Sequence, residues 1–171
     1  MSGMEESNNR FTIRIKVTRP FLGARWSQGV KTFDMEEKDG VKYFIPDNSQ
    51  WRWALKEAFG SLNLIPEVDP DYVRLPVSIL APTVRRYSRA WDPKNPTKRE
   101  DYESFQAGTV ITFPVFILSQ LEQPVFNGIR IESRPPTKDE LINCFKIIGE
   151  NIGLSPWGSK FGYGRFVVIN D

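Results

Sequence analysis

Thr137-Lys138-Asp139-Glu140-Leu141-Ile142-Asn143-Cys144-Phe145-Lys146-Ile147-Ile148, followed by glycines at 149, 153, 158, 162 and 164 and then by Arg165-Phe166-Val167-Val168-Ile169, is the stretch on which the fold turns. Thr137 with Glu140 three residues later is the pattern in which a hydroxyl and a carboxylate cap a helix start reciprocally. Leu141, Cys144, Phe145 and Ile148 recur at helical spacing and supply one apolar face. The closing apolar run has strand length and reads as a central or well-covered strand. The segment therefore predicts a helix, a glycine-rich loop and a strand.

Working outward, Phe11, Ile13, Ile15 and Val17 alternate with Thr12, Arg14, Lys16 and Thr18, the period-two signature of a strand with one buried face. Val30 to Phe33 and Val41 to Ile45 read as the arms of a hairpin, with Asp39-Gly40 as its turn. Pro46 ends that hairpin, and Asp47 with Gln50 signals a helix start. Trp51, Leu55, Ala58 and Phe59 give this helix its stripe and Gly60 stops it. A proline-interrupted connection follows at 62–72. Segments 74–81 and 108–118 are β-rich, residues 82–107 read as a long inserted loop, and 126–131 is extended. Stripped of extra hairpins, the order is β-α-β-β-α-β. That makes the class α+β, a ferredoxin-like (RRM-like) domain with extra hairpins and a C-terminal glycine-rich loop. Residues 1–10 read as a flexible tail and 11–171 as one domain.

Composition narrows the chemistry. The 171 residues hold one cysteine and no histidine. Without histidine the usual acid–base group near neutral pH is missing, and so is the commonest metal ligand. No metal, no cofactor and no catalytic residue is expected. Cys144, alone and inside a helical stripe, reads as a buried thiol and favours a reducing compartment. The polar start Met1-Ser2-Gly3-Met4-Glu5 and the lack of a long apolar run predict a cytoplasmic protein with no signal peptide and no membrane partner. A formal charge of +2 means that any basic patch must be local.

Four such groups of residues stand out. In the glycine-rich end, Gly158, Ser159, Gly162 and Gly164 let the backbone approach a ligand, Lys160 and Arg165 add charge, and Trp157, Phe161 and Tyr163 add ring faces on which bases stack. A tight reversal with a helix cap would use the same glycines. In the insertion, Arg85, Arg86, Arg89, Lys94, Lys98 and Arg99 are interleaved with Tyr87 and Trp91, a single-strand-binding mixture that Asp92, Glu100, Asp101 and Glu103 dilute. Arg52 and Lys56 lie one turn apart near the start of the first helix, and Arg14, Lys16 and Arg19 lie on the polar face of the first strand. Helix solubility and a solvated strand account equally well for these last two sets. Trp51 fits the apolar stripe and reads as core.

The glycine-rich loop between the second helix and final strand, ending Gly162-Tyr163-Gly164-Arg165, resembles the RAMP superfamily of CRISPR-associated proteins. So does the stretch Phe44-Ile45-Pro46-Asp47-Asn48-Ser49-Gln50-Trp51-Arg52-Trp53-Ala54-Leu55-Lys56, which is similar to that family's aromatic-Ile-Pro-Gly-Ser-Ser entry into the first helix, with Asp47 and Trp53 where the family pattern has glycine. The resemblance implies a ferredoxin-like fold whose loop packs against RNA, either within a ribonucleoprotein complex or as a solitary copy from a phage or mobile element.

The expected function is thus non-catalytic binding of single-stranded RNA, or of a ribonucleoprotein, through Trp157 to Arg165 together with Arg85, Arg86, Arg89, Arg52 and Lys56. Two alternatives stay open at this point. One is a phage-encoded anti-defence protein that docks on a host complex or sequesters a nucleotide signal. The other is a metal-independent ribonuclease, for which Tyr87, Tyr163, Lys160 or Ser159 would have to act. The oligomeric state is not encoded in any of these features.

Overall fold

The computed structural model describes residues 10–90, 94–95, 97–121, 125–130, 132–154 and 162–170. Strand β1 (Arg10–Arg19) is the spine, with Ile13, Ile15 and Val17 buried and Arg14 and Lys16 exposed. It pairs antiparallel with β11 (Val110–Ile117) on one side and with β14 (Arg165–Val168) on the other. Strand β7 (Val73–Arg74) closes the far edge, giving the order β14-β1-β11-β7. Helix α1 (Asn48–Ser61) lies between β1 and β7 in the chain, and helix α2 (Lys138–Ile147) between β11 and β14.

Both helices start as their sequences dictate. The Asp47 carboxylate accepts the backbone N–H of Gln50 at 3.2 Å, and α1 runs one residue past Gly60. At α2 the Thr137 hydroxyl accepts the N–H of Glu140 at 3.2 Å, while the Glu140 carboxylate accepts the N–H of Thr137 at 2.9 Å. Each bond satisfies a donor that the first helical turn leaves over.

Phe113 of β11 joins the layers. Its ring centroid lies 5.3 Å from that of Trp51 on α1 and 5.8 Å from that of Phe145 on α2, so both helices cover the same face of the sheet. Trp51 is core, and Cys144 is buried beside Phe145, with its thiol pushed up to about 12 by burial. A buried side chain of this size stabilises by about 1.5–3 kcal/mol relative to exposure.

Three expectations are corrected. The Asp39-Gly40 turn, with φ of 52° and 78°, does not join Val30–Phe33 to Val41–Ile45. It joins β5 (Asp34–Lys38) to β6 (Val41–Ile45), and β8 (Ile79–Leu80) adds to β6. A second two-residue turn at Gln28-Gly29, with φ of 49° and 87°, pairs β4 (Val30–Thr32) with β3 (Arg25–Ser27) instead. The segment 82–107 is largely regular: β9 (Arg85–Ala90) pairs antiparallel with β10 (Arg99–Phe105) along six positions. Tyr102, Ser104 and Phe105 anchor it by burial, so charged strands that look loop-like in sequence are held by one inward end.

Third, β14 is an edge strand rather than a central one, because among the described strands it pairs with β1 alone. Phe166 points inward and Val167 outward. Gly149, in the π-type turn 148–152 that ends α2, lies against Phe166 so closely that a Cβ there would meet the Phe166 carbonyl and ring. The extended piece near 126–131 contains the small pair β12 (Val125–Phe126) and β13 (Ile129–Arg130).

Candidate nucleic-acid interface

Strand β10 organises a second sheet. Strand β9 pairs along one edge of it. On the other edge β4 pairs parallel and β2 (Phe21–Leu22) antiparallel, with β3 outside β4. Side chains alternate across the plane, so Arg85, Tyr87 and Arg89 of β9 share a face with Ser104, Tyr102 and Glu100 of β10. The opposite face carries Arg86, Asp101 and Glu103, and it leads to the core, where Phe105 stacks on Phe33 with centroids 4.1 Å apart. A hollow of about 550 Å³ beside Glu103 is lined also by Glu36, Glu37 and Lys42, a net acidic setting that disfavours phosphate.

On the first face two candidate sites 76 residues apart in sequence meet. The hydroxyls of Tyr87 and Tyr163 are hydrogen-bonded at 3.1 Å, and their rings stand edge to face with centroids 5.7 Å apart. The Arg19 and Arg89 guanidinium carbons lie 5.6 and 5.7 Å from the Tyr163 ring centroid. Tyr163 is held there by its neighbour: the N–H of Gly164 donates to the Pro20 carbonyl at 2.8 Å, and the Gly164 carbonyl accepts from Leu154 at 3.0 Å. Gly162 and Gly164, with φ of 79° and 69°, adopt the left-handed conformation that lets the chain turn on both sides of Tyr163.

Behind this pair, Tyr102 donates its hydroxyl to Glu100 at 2.7 Å, and Lys31 pairs with Glu100 at the same distance. Burial opposes ionisation of Glu100, but hydrogen bonds from Lys31 and Tyr102 outweigh it and hold the carboxyl below its usual range. Burial raises the Tyr102 phenol well above its ordinary value, and the bond to Glu100 adds to the effect. The Tyr87 phenol is raised chiefly by its bond to Tyr163. These phenols stay protonated near neutral pH.

The other candidates fall in different places. Arg85 and Arg86 are exposed on opposite faces of β9, Arg86 within 3.9 Å of Asp101. Arg52 of α1 is paired with Asp71, and Lys56 is exposed one turn further on. Arg165 donates from Nη1 to the Glu150 carbonyl at 2.7 Å, tying β14 to the end of α2. Trp157, Gly158, Ser159, Lys160 and Phe161 lie outside the described residues, as does Trp91. The Ile45-Pro46-Asp47 entry lines an apolar hollow of about 330 Å³ with Phe21, Phe33 and Trp51, whose cation Arg25 is paired with Asp34 at 3.0 Å. Arg19, which the sequence offers equally as part of a positive surface and as one cation of a solvated strand, is a central member of the cluster. Among the described residues no three acidic or cysteine side chains gather as metal ligands, and no helix is long and apolar enough to cross a membrane.

No family model and no curated protein matches the chain. Among solved structures it is similar in fold to a chain of the cryo-EM structure of the type III-B Cmr-beta complex bound to cognate target RNA, at 13% identity and a TM-score of 0.55. The likeness covers 98% of this chain and 61% of that one, so the protein spans about three fifths of the length of that chain.

Proposed function

We propose that the protein binds single-stranded RNA without cleaving it, through the face where Tyr87, Tyr163, Arg19 and Arg89 meet. The observation that carries this reading is the convergence of two aromatic rings and two guanidinium groups from three separate segments of chain. Guanidinium groups neutralise phosphates and ring faces stack bases, and together they hold a flexible strand without reading its sequence. Arg14 and Lys16 are further exposed cations on the same strand as Arg19.

We read the order β14-β1-β11-β7, with one helix between β1 and β7 and one between β11 and β14, as a ferredoxin-like core of RAMP type. The likeness to a chain of an RNA-bound complex supports that reading and makes a ribonucleoprotein a natural setting. The non-catalytic part rests on chemistry. Tyr87 and Tyr102 are pushed toward the protonated form, which is the wrong direction for a general base, and the chain has no histidine to replace them.

Titrating the protein with labelled single-stranded RNA at several salt concentrations tests the proposal. Affinity should fall steeply and linearly on a log–log scale as phosphate contacts displace counterions, and the RNA should be recovered intact. Absence of binding at low salt, or an affinity indifferent to salt, would overturn it.

A further inference from the structure

The face that carries Tyr87 does not end at β10. Its strand register continues outward as a single row: Tyr87 of β9 faces Tyr102 of β10, Tyr102 faces Lys31 of β4, and Lys31 faces Trp26 of β3. Partners in register point to the same side, and four strands about 4.8 Å apart place Trp26 about 14 Å from Tyr87. Two cations overlie the middle of the row, with Lys31 Nζ 5.7 Å and the Arg89 guanidinium carbon 5.9 Å from the Tyr102 ring centroid. Tyr102 itself is fully buried.

Trp26 is 64% exposed. It stands over a hollow of about 280 Å³ whose other walls are Gly29, Arg99 and Glu100. Arg99 reaches the hollow from the end of β10, where strand alternation places it with Ser88 on the other face, and its guanidinium donates to the Ser88 hydroxyl and carbonyl, each at 2.9 Å. Gly29 contributes no side chain, and the space above it is open.

We infer that Trp26 is a second stacking platform for a base of the same single-stranded RNA, so that the bound strand crosses the sheet from Tyr163 and Tyr87, over Lys31 and Arg89, to Trp26. The proposal rests on the reading of the Tyr87–Tyr163 face as an RNA site. The surroundings favour a base over a protein partner: the neighbours of Trp26 along and across the hairpin are Arg25, Ser27, Gln28, Gly29 and Lys31, which form no contiguous apolar patch. A protein interface needs such a patch at its centre. One base needs one ring face, with cations nearby for its phosphates, and that is what the hairpin presents.

The experiment measures binding of a labelled oligouridine, and of an abasic oligonucleotide of equal length, to the full chain and to its Trp26→Ala and Trp26→Phe variants by fluorescence anisotropy. Stacking predicts that Trp26→Ala weakens oligouridine binding about tenfold, that Trp26→Phe restores most of the loss, and that both variants bind the abasic strand as the unsubstituted protein does. Unchanged oligouridine affinity in Trp26→Ala would overturn the platform while leaving the RNA face standing, and would turn the Trp26 hairpin over to a protein partner. Equal weakening on the abasic strand would also overturn it, because the loss would then not come from a base. If the unsubstituted protein binds neither strand, the RNA reading itself fails and the platform falls with it.

Discussion

The two large sheets of this protein use the same strand geometry to opposite ends. The four-stranded sheet buries one face under two helices, and Phe113 touches an aromatic ring on each of them. The five-stranded sheet buries Phe21 and Leu22 of β2 and Tyr102, Ser104 and Phe105 of β10, and around them it carries Tyr87, arginines and lysine at partly or fully exposed positions. The face that holds the core together is apolar and continuous, whereas the face proposed for RNA is aromatic and cationic, with hydrogen bonds that hold the rings in place. The difference teaches where substitutions should be felt, in folding for the first sheet and in binding for the second.

The sharpest way to break that contrast is at Phe113. Phe113→Ala removes the ring that both helices share and is expected to cost about 3–5 kcal/mol, read as a lower denaturant midpoint. A cost below about 1 kcal/mol would mean that the helices do not depend on this contact. On the second sheet, Tyr163→Phe deletes one hydroxyl of the Tyr87–Tyr163 pair but keeps its ring. It should cost about 1 kcal/mol at most in stability, while RNA affinity changes little because the stacking face remains. A large loss of affinity would instead make the hydroxyl, not the ring, the working group.

The smallest effect is a pH dependence confined to the first sheet's helices. Arg134 donates to both carboxylate oxygens of Glu140, at 2.8 and 2.9 Å, and holds this carboxyl at about 2 in the folded chain. A lowered folded value stabilises the fold above the ordinary carboxylate range. That contribution is lost as pH falls from about 4.5 toward about 2. Glu140→Gln should flatten that part of the stability profile and leave RNA binding untouched. The partners are partly exposed, so solvent screening keeps the amplitude small.

The same contrast explains what could be read from the sequence. The alternation of Ile13, Ile15 and Val17, the Asp47 cap and the Thr137–Glu140 box are local signals, and each stands in the structure where its spacing places it. Strands β9 and β10 gave no such signal, since Arg86 and Ser88 alternate with Arg85, Tyr87 and Arg89 and neither side is apolar. Pairing of β4 with β10 joins residues about seventy positions apart and has no local signature. The apolar run at β14 reads as a covered strand, yet Val167 faces solvent because the strand lies at a sheet edge. For the site, Tyr87, Arg89 and Tyr163 are visible as residue types, but their meeting, and the place of Arg19 beside them, is a product of tertiary structure.

The most direct test of the RNA face is the double variant Arg19→Ala, Arg89→Ala, compared with the unsubstituted protein in single-stranded RNA titrations across a salt series. Loss of two phosphate-neutralising groups should weaken binding at least tenfold at low salt and make the log–log slope shallower by about one to two, with the fold retained by circular dichroism. An affinity and a slope that both match the unsubstituted protein would contradict the assignment of this face to RNA.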